Sequence, residues 1–523
     1  MDESRAYREI ISRIFSRESV IDLQQLKLEV CREYQIARIP KNSEIFAAAK
    51  SEERGALREI LRLKPTRTLS GVAPVAVMTS PFPCPHGKCL PCPGGPDHPF
   101  HSPQSYTGEE PAALRAREHE FDPYGQVEAR LTQYEALGHL VGKVELIVMG
   151  GTMTSRPFEY QEEFVTRCIQ AMNEFGKDKQ EIVPPFETVA EMNEAAAVRC
   201  VGITFETRPD WCRETQINRM LSLGVTKVEL GVQHLDNAIL SLNRRGCTVE
   251  DTIAANTLLR ECGMKVGFHI MPNLPGSTAD KDRRVFRELF DNPSFRPDFL
   301  KIYPTLVTPG SEIEHLWEEG NYQVYGEETL VDLIAEVKSH LPSYVRLQRI
   351  QRDIPAKLIV AGSRHSNFRQ LVRERLRKEG KQCRCIRCRE AGRCNSNEGP
   401  GFQEERYTCC GGEEYFLSAV SGEALIGFAR LRTPVRPFRK ELDNAALLRE
   451  LHIYGELVPV GNQPGKATWQ HRRFGEELLK IAEEKATVCG YSRIAVMSGV
   501  GVRPYYRKYG YLRKGPYMVK QLP

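Results

Sequence analysis

The sequence predicts an α/β protein with a parallel sheet followed by a smaller, separate α/β domain. Over residues 71–340, short apolar strands such as 144-VELIVMGG-151 and 226-TKVELGVQ-233 alternate with helical stretches. Such alternation indicates a parallel sheet, either open or closed into a barrel. A count of about six strands favours a partial barrel. After residue 410 the pattern changes to a hairpin, 413-EEYFLSAVSGEALIGFARLR-432, which begins the second domain.

These patterns divide the chain into four segments. Residues 1–70 carry apolar residues at helical spacing and are predicted to be a helical, basic region. Residues 71–340 form the partial barrel, residues 341–410 a basic linker with a Cys-rich loop, and residues 411–523 the second α/β domain. A chain of 523 residues is long for one hydrophobic core, which agrees with several domains.

Composition narrows the class of protein. The chain is 41% hydrophobic and 27% charged, and it has no apolar run long enough to span a bilayer. Its first residues, MDESRAYREIISRIF, lack the apolar core of a signal peptide, so we expect a cytoplasmic protein. In that compartment sixteen cysteines argue for metal or cluster ligation rather than for a disulfide framework.

Positive charge is concentrated in the linker. Residues 344–394 contain fifteen Lys and Arg against four Asp and Glu. One interpretation is a solvated helical face. The other is a surface that binds a polyanion, with nucleic acid as the obvious candidate, because too few acidic residues are present to pair with the basic ones.

A loop with three cysteines, 84-CPHGKCLPCPGG-95, directly follows the first predicted strand of the barrel. A structural zinc site requires four ligands, whereas three cysteinates can hold a [4Fe–4S] cluster and leave one iron open for a small molecule. The alternative is a set of structural or zinc-bound cysteines. We expect Gly94 and Gly95 to let the backbone approach the small molecule closely.

These motifs resemble the radical S-adenosylmethionine superfamily, although the first gap between cysteines is four residues rather than the commoner three. Together with 105-SYTGEEP-111, 204-TFETRPD-210 and 228-VELGVQ-233, the loop is similar to the catalytic subunit family of Elongator in its single-chain bacterial and archaeal form. Further motifs extend the similarity to 498-SGVGVRPYYRKYGYLRKGPYM-518, so that it covers about 450 residues.

The resemblance implies that Cys84, Cys89 and Cys92 hold a [4Fe–4S] cluster whose open iron binds S-adenosyl-L-methionine. Gly150 and Gly151 would meet its methionyl amino group, with Thr152 at a position that is often acidic in the superfamily. Four polar residues fall at predicted strand ends, where barrel active sites form, although each could equally be a surface ion pair. They are Glu206, Arg208, Glu229 and Gln233.

Catalytic roles are expected for Lys143, Arg208, Glu229 and Tyr506, and a cofactor-binding role for Gln233. Lys143 matches a family lysine that contacts acetyl-CoA. Tyr506 matches a tyrosine near the thioester sulfur, where a hydroxyl can protonate the departing thiolate. Tyr505 beside it is the less favoured of the two.

The second domain has a segment, 470-QHRRFG-475, in front of an amphipathic helix, and a helix N-terminus can bind a pyrophosphate. Combined with 448-LRELHIYG-455 and the YYRKYGY stretch, it resembles the acetyl-CoA fold of the GNAT acetyltransferases. Arg473 replaces the first glycine of that family's Gln-x-x-Gly-x-Gly loop. The residues expected to bind acetyl-CoA are Lys143, Glu450, Leu451, His452, Ile453, Gln470, Arg473, Phe474, Gly475, Tyr505 and Tyr506.

Four linker cysteines, Cys383, Cys385, Cys388 and Cys394, are sufficient for a structural Zn²⁺ site. His365, Cys409 or Cys410 could substitute for one of them.

The resemblance implies an enzyme that modifies the wobble uridine of tRNA. A 5′-deoxyadenosyl radical would take hydrogen from the methyl group of acetyl-CoA, the acetyl radical would add to carbon 5, and thioester hydrolysis would leave a carboxymethyl group. The tRNA anticodon stem-loop is the expected partner, and a homodimer is also expected. The alternatives are a protein lysine acetyltransferase with a structural Fe–S domain, and a tRNA-binding module that senses acetyl-CoA.

Overall fold

The computed structural model describes residues 3–16, 22–36, 39–40, 42–50, 52–61, 68, 71–97, 101–365, 367–394, 396, 398–454 and 473–523. Within these ranges no helix combines the length and apolar character needed to cross a membrane.

Among the described residues, four helices precede the first sheet. Their apolar faces meet in a small core of their own that includes Ile10, Leu26 and Leu57. Asp22 caps the second helix by accepting hydrogen bonds from the backbone N–H groups of Gln24 and Gln25. The helices are α1 (Glu3–Ser16), α2 (Leu23–Glu33), α3 (Asn42–Ala47) and α4 (Arg54–Leu61).

The first sheet is a parallel, curled half-barrel in which the strands neighbour one another in chain order. The sequence predicted about six strands, and the structure has seven. The additional strand, Arg346–Arg349, lies in the segment assigned to the linker and pairs with the sixth. The strands are β1 (Ala73–Met78), β2 (Lys143–Met149), β3 (Arg199–Thr207), β4 (Lys227–Gln233), β5 (Lys265–Ile270), β6 (Phe299–Ile302) and β7 (Arg346–Arg349).

In the described ranges between the first and last of these strands, ten helices make the connections. Along β2 the residues alternate, with Val144, Leu146 and Val148 fully buried and the residues between them half-buried. Because side chains of a strand alternate between faces, one face of the sheet packs on a core and the other lines an open concave side. The helices are α5 (Pro111–Glu118), α6 (Pro123–Ala136), α7 (Phe158–Glu174), α8 (Phe186–Asn193), α9 (Glu214–Ser222), α10 (Asn237–Leu242), α11 (Val249–Glu261), α12 (Ala279–Asp291), α13 (Glu312–Glu318) and α14 (Glu327–His340).

The predicted linker is more ordered than expected. Helices α15 (Phe368–Lys378) and α16 (Ile386–Arg389) follow β7, and Val372 and Leu376 of α15 are buried. The end of the same segment forms β8 (Pro400–Cys409), the edge strand of the second sheet.

The second sheet is mixed and contains the hairpin that the sequence predicted. Its two strands pair as expected on either side of a turn at Gly422, which has a φ of +52°. In space the strands follow the order β13-β14-β12-β11-β10-β9-β8. The elements are β9 (Gly412–Ser421), β10 (Ala424–Thr433), β11 (Ala445–Ile453), α17 (Phe474–Val488), β12 (Arg493–Val496), α18 (Arg503–Arg507), β13 (Leu512–Lys514) and β14 (Tyr517–Gln521).

A buried network of ion pairs joins the two sheets. Arg449 of β11 donates two hydrogen bonds to Asp298, which precedes β6, at 2.9 and 2.7 Å. Arg260 of α11 donates to Glu414 of β9 at 2.9 Å. Burial opposes the charge on Asp298, but the surrounding guanidinium groups outweigh it and hold the pKa of this carboxyl far below its usual range. Arg430 and Arg432 complete the network, and all four arginines are at most 1% exposed.

We expect Asp298→Asn to destabilise the protein by ~3–5 kcal/mol, because it leaves buried guanidinium groups without their counter-ion. Asp280→Asn is the matched control, since this side chain is 81% exposed and its pair with Arg283 should contribute at most ~1 kcal/mol. Urea unfolding measures both changes. Equal effects of the two substitutions would contradict the importance given to the network.

The same network makes stability depend on pH. The depressed pKa of Asp298 and of Glu414 adds stability that is complete above the pKa of an unfolded carboxyl, about 4, and is lost as the pH falls below that value. Tm should therefore fall steeply below about pH 4, and it should fall less steeply in Asp298→Asn.

Candidate active site

One cavity of about 1730 Å³ occupies the concave side of the half-barrel and continues to the second sheet. Alternate residues of β2 line it along the strand: Lys143, Glu145, Ile147 and Met149. A strand rises ~3.3 Å per residue, so Lys143 and Met149 are about 20 Å apart along it. Met149 lies at the same end as Cys84, whereas Lys143 lies at the opposite end of the strand.

The loop after β1 carries the three cysteines predicted to hold a cluster. Cys84 lines the cavity, and its sulfur is 3.5 Å from the hydroxyl of Thr152. Nε2 of His86 is 3.0 Å from Sγ of Cys89, and the backbone N–H of Ser105 donates to Sγ of Cys92 at 3.2 Å. Burial raises the pKa of all three thiols.

The three sulfurs of the loop are not gathered around one point as the ligands of a single metal ion are. Among the described residues, Cys84, Cys89 and Cys92 do not form a group with all sulfurs within 4.8 Å of one another. A cluster of four irons separates its cysteine ligands more widely than one ion does, and three cysteinates leave one iron open. The residues therefore fit a [4Fe–4S] cluster.

Two glycines shape the floor of the cavity beside Cys84. Gly150 and Gly151 adopt φ values of +126° and +75°. A Cβ at Gly150 would lie 2.2 Å from Oγ1 of Thr79, and one at Gly151 would lie 3.8 Å from Sγ of Cys84. Both positions thus require glycine, and Gly151 leaves room next to the sulfur.

The predicted role of Gly94 is wrong. A Cβ there would lie 2.1 Å from the carbonyl oxygen of Tyr106 and 2.6 Å from Oγ of Ser102. The close approach is therefore to the protein's own chain, because residues 102–106 fold back over the loop. Neither Gly94 nor Gly95 lines the cavity.

Arg208 and Gln233 bring polar groups without protein partners to this end of the cavity. Arg208 donates two hydrogen bonds to Asp210, at 2.9 and 2.7 Å, while its Nη1 has no partner among the described residues. Gln233 has a φ of +69°, and its Oε1 likewise lacks a partner there. Arg245, which the sequence analysis missed, lies 3.7 Å from Sγ of Cys89. These groups are available to a polar ligand beside the cysteines.

Glu206 and Glu229 share one cation and are not surface ion pairs. Nζ of Lys301 is 3.1 Å from Oε1 of Glu206 and also contacts Glu229. Burial opposes ionisation of Glu229, but Lys301 and Lys227 outweigh it and hold its pKa well below the usual range. Nε2 of His269 is 3.1 Å from Oε2 of Glu229. The two carboxylates and the imidazole could in principle hold a metal ion, but the ammonium group of Lys301 already supplies the positive charge.

Lys143 is the first residue of β2 and faces the second domain. Burial lowers its pKa, and the nearby Arg199 lowers it further. Its amine makes no hydrogen bond or ion pair with any residue in the described part of the chain. It is therefore placed to meet a ligand that enters from the second sheet.

The second sheet opens where β11 and β12 diverge. The two strands pair only from Ala445 to Leu448, so β11 continues to Ile453 with one edge unpaired by β12. Leu451, His452 and Ile453 lie on this stretch and line the cavity together with Glu450, which accepts a hydrogen bond from Arg430 at 2.8 Å. Burial lowers the pKa of His452 to about 4, so its imidazole is neutral.

Arg473 adopts the left-handed backbone conformation that favours glycine. Its φ is +64°, and its carbonyl oxygen accepts hydrogen bonds from the N–H groups of Glu476 and Glu477 at the start of α17. Phe474 and Gly475 also line the cavity. A Cβ at Gly475 would lie 3.1 Å from the hydroxyl of Tyr505, which explains the glycine. Gln470 lies outside the described residues.

Both predicted tyrosines line this end of the cavity. Tyr506 is 5% exposed, and burial raises its pKa, so its hydroxyl remains protonated at neutral pH. Tyr505 packs against it edge-to-face, with ring centroids 5.2 Å apart. Tyr506 can therefore donate a hydrogen bond or a proton, and the hydroxyl of Tyr505 lies beside Gly475 near the start of α17.

Three of the four linker cysteines converge. The sulfurs of Cys383, Cys385 and Cys388 lie within 4.8 Å of one another, and Cys394 does not join that group. His365 is instead 2.7 Å from Glu327, and Cys410 lies against the carbonyl of Ser294 at 3.5 Å. His365 and Cys410 therefore face other partners, and the structure assembles three of the four ligands that a structural zinc ion requires.

The cavity is positively charged. Sixteen Lys and Arg line it, against nine Asp and Glu. The linker therefore does not present its charge only as a solvated face. Six of its arginines line the cavity: Arg346, Arg349, Arg352, Arg369, Arg387 and Arg393.

His269 and Lys301 were also missed at the sequence level. They are directly paired across β5 and β6, next to the ends of those strands. The strand-end rule that selected Glu229 and Gln233 would have found them.

Comparison with known proteins identifies three matching family models. The Radical SAM superfamily matches residues 84–289, the Radical_SAM C-terminal domain matches residues 297–378, and the ELP3 N-terminal domain matches residues 3–69. The chain is 48% identical to the tRNA uridine(34) acetyltransferase of Methanocaldococcus jannaschii, over 100% of this chain and 99% of that protein. It is 40% identical to Elongator complex protein 3 of Schizosaccharomyces pombe, over 99% and 98% respectively.

A solved structure is also similar. Elp3 from the archaeon Methanocaldococcus infernus, with an N-terminal deletion of residues 1–46, superimposes with a TM-score of 0.76 and 44% sequence identity. The match covers 87% of this chain and 100% of that one.

The two cysteine groups should bind different metals. After anaerobic reconstitution, Cys89→Ala should lose most of the iron and the [4Fe–4S] absorption while zinc persists. The reason is that Cys89 belongs to the group in the loop after β1 and not to the linker group. Cys385→Ala should lose zinc and keep iron. Elemental analysis and absorption spectra measure both. Stoichiometric zinc at Cys84, Cys89 and Cys92, without iron, would contradict the assignment.

Proposed function

Because the chain belongs to the family of Elongator complex protein 3 and the tRNA uridine(34) acetyltransferases, we propose that it modifies the wobble uridine of tRNA at carbon 5. The group added would be a carboxymethyl group derived from acetyl-CoA. The enzyme is thus an acyltransferase with a radical S-adenosylmethionine domain.

One observation carries the proposal: a single cavity connects the cysteine loop to the open edge of β11. When bound, the [4Fe–4S] cluster and S-adenosyl-L-methionine supply a 5′-deoxyadenosyl radical strong enough to take hydrogen from the acetyl methyl group. Such a reaction needs both ligands in one enclosed space. A protein lysine acetyltransferase would need neither the cysteine loop nor the polar strand ends that this cavity includes.

At the cysteine end, the chain would bind S-adenosyl-L-methionine through its unpaired polar groups. Nη1 of Arg208 and Oε1 of Gln233 lack protein partners among the described residues, so each can hydrogen-bond a ligand without losing an existing bond. Gly150 and Gly151 leave space for the methionyl group beside Cys84.

At the opposite end, the chain would bind acetyl-CoA. The free edge of β11 offers backbone hydrogen bonds to the pantetheine arm, and the N-terminus of α17 offers its N–H groups to the pyrophosphate. At this end of the cavity Lys143 supplies an amine that has no hydrogen-bond or ion-pair partner among the described residues. The protonated hydroxyl of Tyr506 would donate a hydrogen bond to the thioester sulfur as acetyl-CoA binds.

The tRNA would bind over the basic lining. A uridine in the anticodon loop can leave its stack and enter the cavity without the opening of a duplex, because this loop is single-stranded. The linker arginines on the cavity wall, such as Arg352 and Arg387, would hold its phosphates. We also propose that a zinc ion bound by Cys383, Cys385 and Cys388 fixes the linker, and that the protein is a cytoplasmic homodimer.

We test the proposal with acetyl-CoA deuterated at the methyl group. Deuterium should appear in 5′-deoxyadenosine only when tRNA is present, because the methyl group is the hydrogen donor. Tyr506→Phe should reduce this transfer while leaving iron content unchanged. Mass spectrometry of 5′-deoxyadenosine and of digested tRNA measures both. Modified uridine that accumulates without deuterium in 5′-deoxyadenosine would contradict the mechanism.

A further inference from the structure

His269 has the surroundings of a general base. Its imidazole lines the cavity and its side chain is 12% exposed. Nε2 is 3.1 Å from Oε2 of Glu229, a carboxylate that is itself 1% exposed. On the far side, the ring of Tyr303 meets the imidazole edge-to-face, with centroids 5.4 Å apart.

The hydrogen bond to Glu229 determines which nitrogen can accept a proton. A carboxylate only accepts, so Nε2 must carry the hydrogen and Nδ1 has the free lone pair. Within the described part of the chain, Nδ1 makes no hydrogen bond. The charged or titratable groups that face the imidazole are Glu206 from β3, Glu229 from β4, and Lys301 and Tyr303 from β6 and the residue after it.

Glu229 is held in place for this task. Lys301 contacts its Oε2, and Nζ of Lys227 is 3.5 Å from its Oε1. The carboxylate is therefore ionised and fixed, and it can stabilise an imidazolium that forms beside it. This is the arrangement by which a buried acid orients a histidine in hydrolytic enzymes.

The position along the cavity indicates the step that needs this base. His269 is the penultimate residue of β5, at the same end of the half-barrel as the cysteine loop. Under the proposed function, the new C–C bond forms at this end, so the thioester carbonyl, one bond from the former methyl carbon, also lies here. That thioester must be hydrolysed to give a carboxymethyl group.

We propose that His269, oriented by Glu229, is the general base that activates water for this hydrolysis; the inference rests on the proposed function. The water oxygen bonds to the thioester carbonyl carbon as its proton passes to Nδ1. The C–S bond then breaks, and the imidazolium returns the proton to the departing coenzyme A thiolate. Water and thioester yield a carboxylic acid and a thiol, so no oxidant or reductant is needed. Glu229 and Lys301 are positioning residues.

The test compares wild type with His269→Gln, reconstituted anaerobically with S-adenosyl-L-methionine, methyl-deuterated acetyl-CoA and tRNA. Deuterated 5′-deoxyadenosine should form within about twofold of the wild-type amount. Carboxymethyluridine should fall by about 10²–10⁴-fold, the usual contribution of a general base. A tRNA–coenzyme A thioester should accumulate, identified by its mass and by cleavage with hydroxylamine.

A second measurement isolates hydrolysis from the radical step. The adduct isolated from the variant is added to each protein without S-adenosyl-L-methionine. Wild type should hydrolyse it. His269→Gly should be inactive and should regain hydrolysis with added imidazole. His315→Gln is the matched control, since its side chain is 76% exposed, and should behave as wild type.

Carboxymethyluridine formation by His269→Gln at the wild-type rate would overturn the inference. Loss of 5′-deoxyadenosine together with product, without rescue by imidazole, would also overturn it and indicate a structural role. If wild type itself forms neither deuterated 5′-deoxyadenosine nor modified uridine, the proposed function has failed and the inference falls with it.

Discussion

The buried ion network between the two sheets is the constraint on which the active site depends. Asp298 directly precedes β6 and is bound by Arg449 of β11, the residue just before the stretch that lines the cavity. Each charge is expensive to bury alone, so the network is favourable only when both domains are docked. The docked arrangement fixes the free edge of β11 against the end of the half-barrel at which Lys143 lies. The cavity is continuous for this reason.

Inside the half-barrel, buried carboxylates are likewise paired with buried cations. Lys301 sits between Glu206 and Glu229, and Lys227 sits between Glu145 and Glu229. The lysines hold the pKa of Glu145 and of Glu229 below the usual range, although burial alone would raise both. Ionised and fixed carboxylates can orient a histidine, and fixed lysines keep that charge balanced without a metal ion.

Much of this could be predicted from the sequence. The strand–helix alternation predicted the parallel sheet, because this pattern can be recognised from residues that are close together in the sequence. The motif residues at strand ends fell inside the cavity, as with Arg208 and Gln233. Other features depend on contacts between distant segments and leave no local signal. The seventh strand is short and polar, Gly94 packs against residues 102–106, and the interface arginines pair with acids more than 100 positions away.

The central claim is that acetyl-CoA reaches the cysteine end of the cavity through the half-barrel. A bulky side chain that blocks this passage tests the claim most directly. Ile147 is half-buried and faces the cavity midway along β2, so Ile147→Trp should fill the passage, whereas Ile147→Leu preserves volume. The measurement is single-turnover formation of modified uridine, with acetyl-CoA affinity and iron content measured in the same samples. The account predicts that Ile147→Trp keeps the wild-type acetyl-CoA affinity and iron content but no longer forms modified uridine, while Ile147→Leu remains active. Modification by Ile147→Trp at the wild-type rate would contradict it.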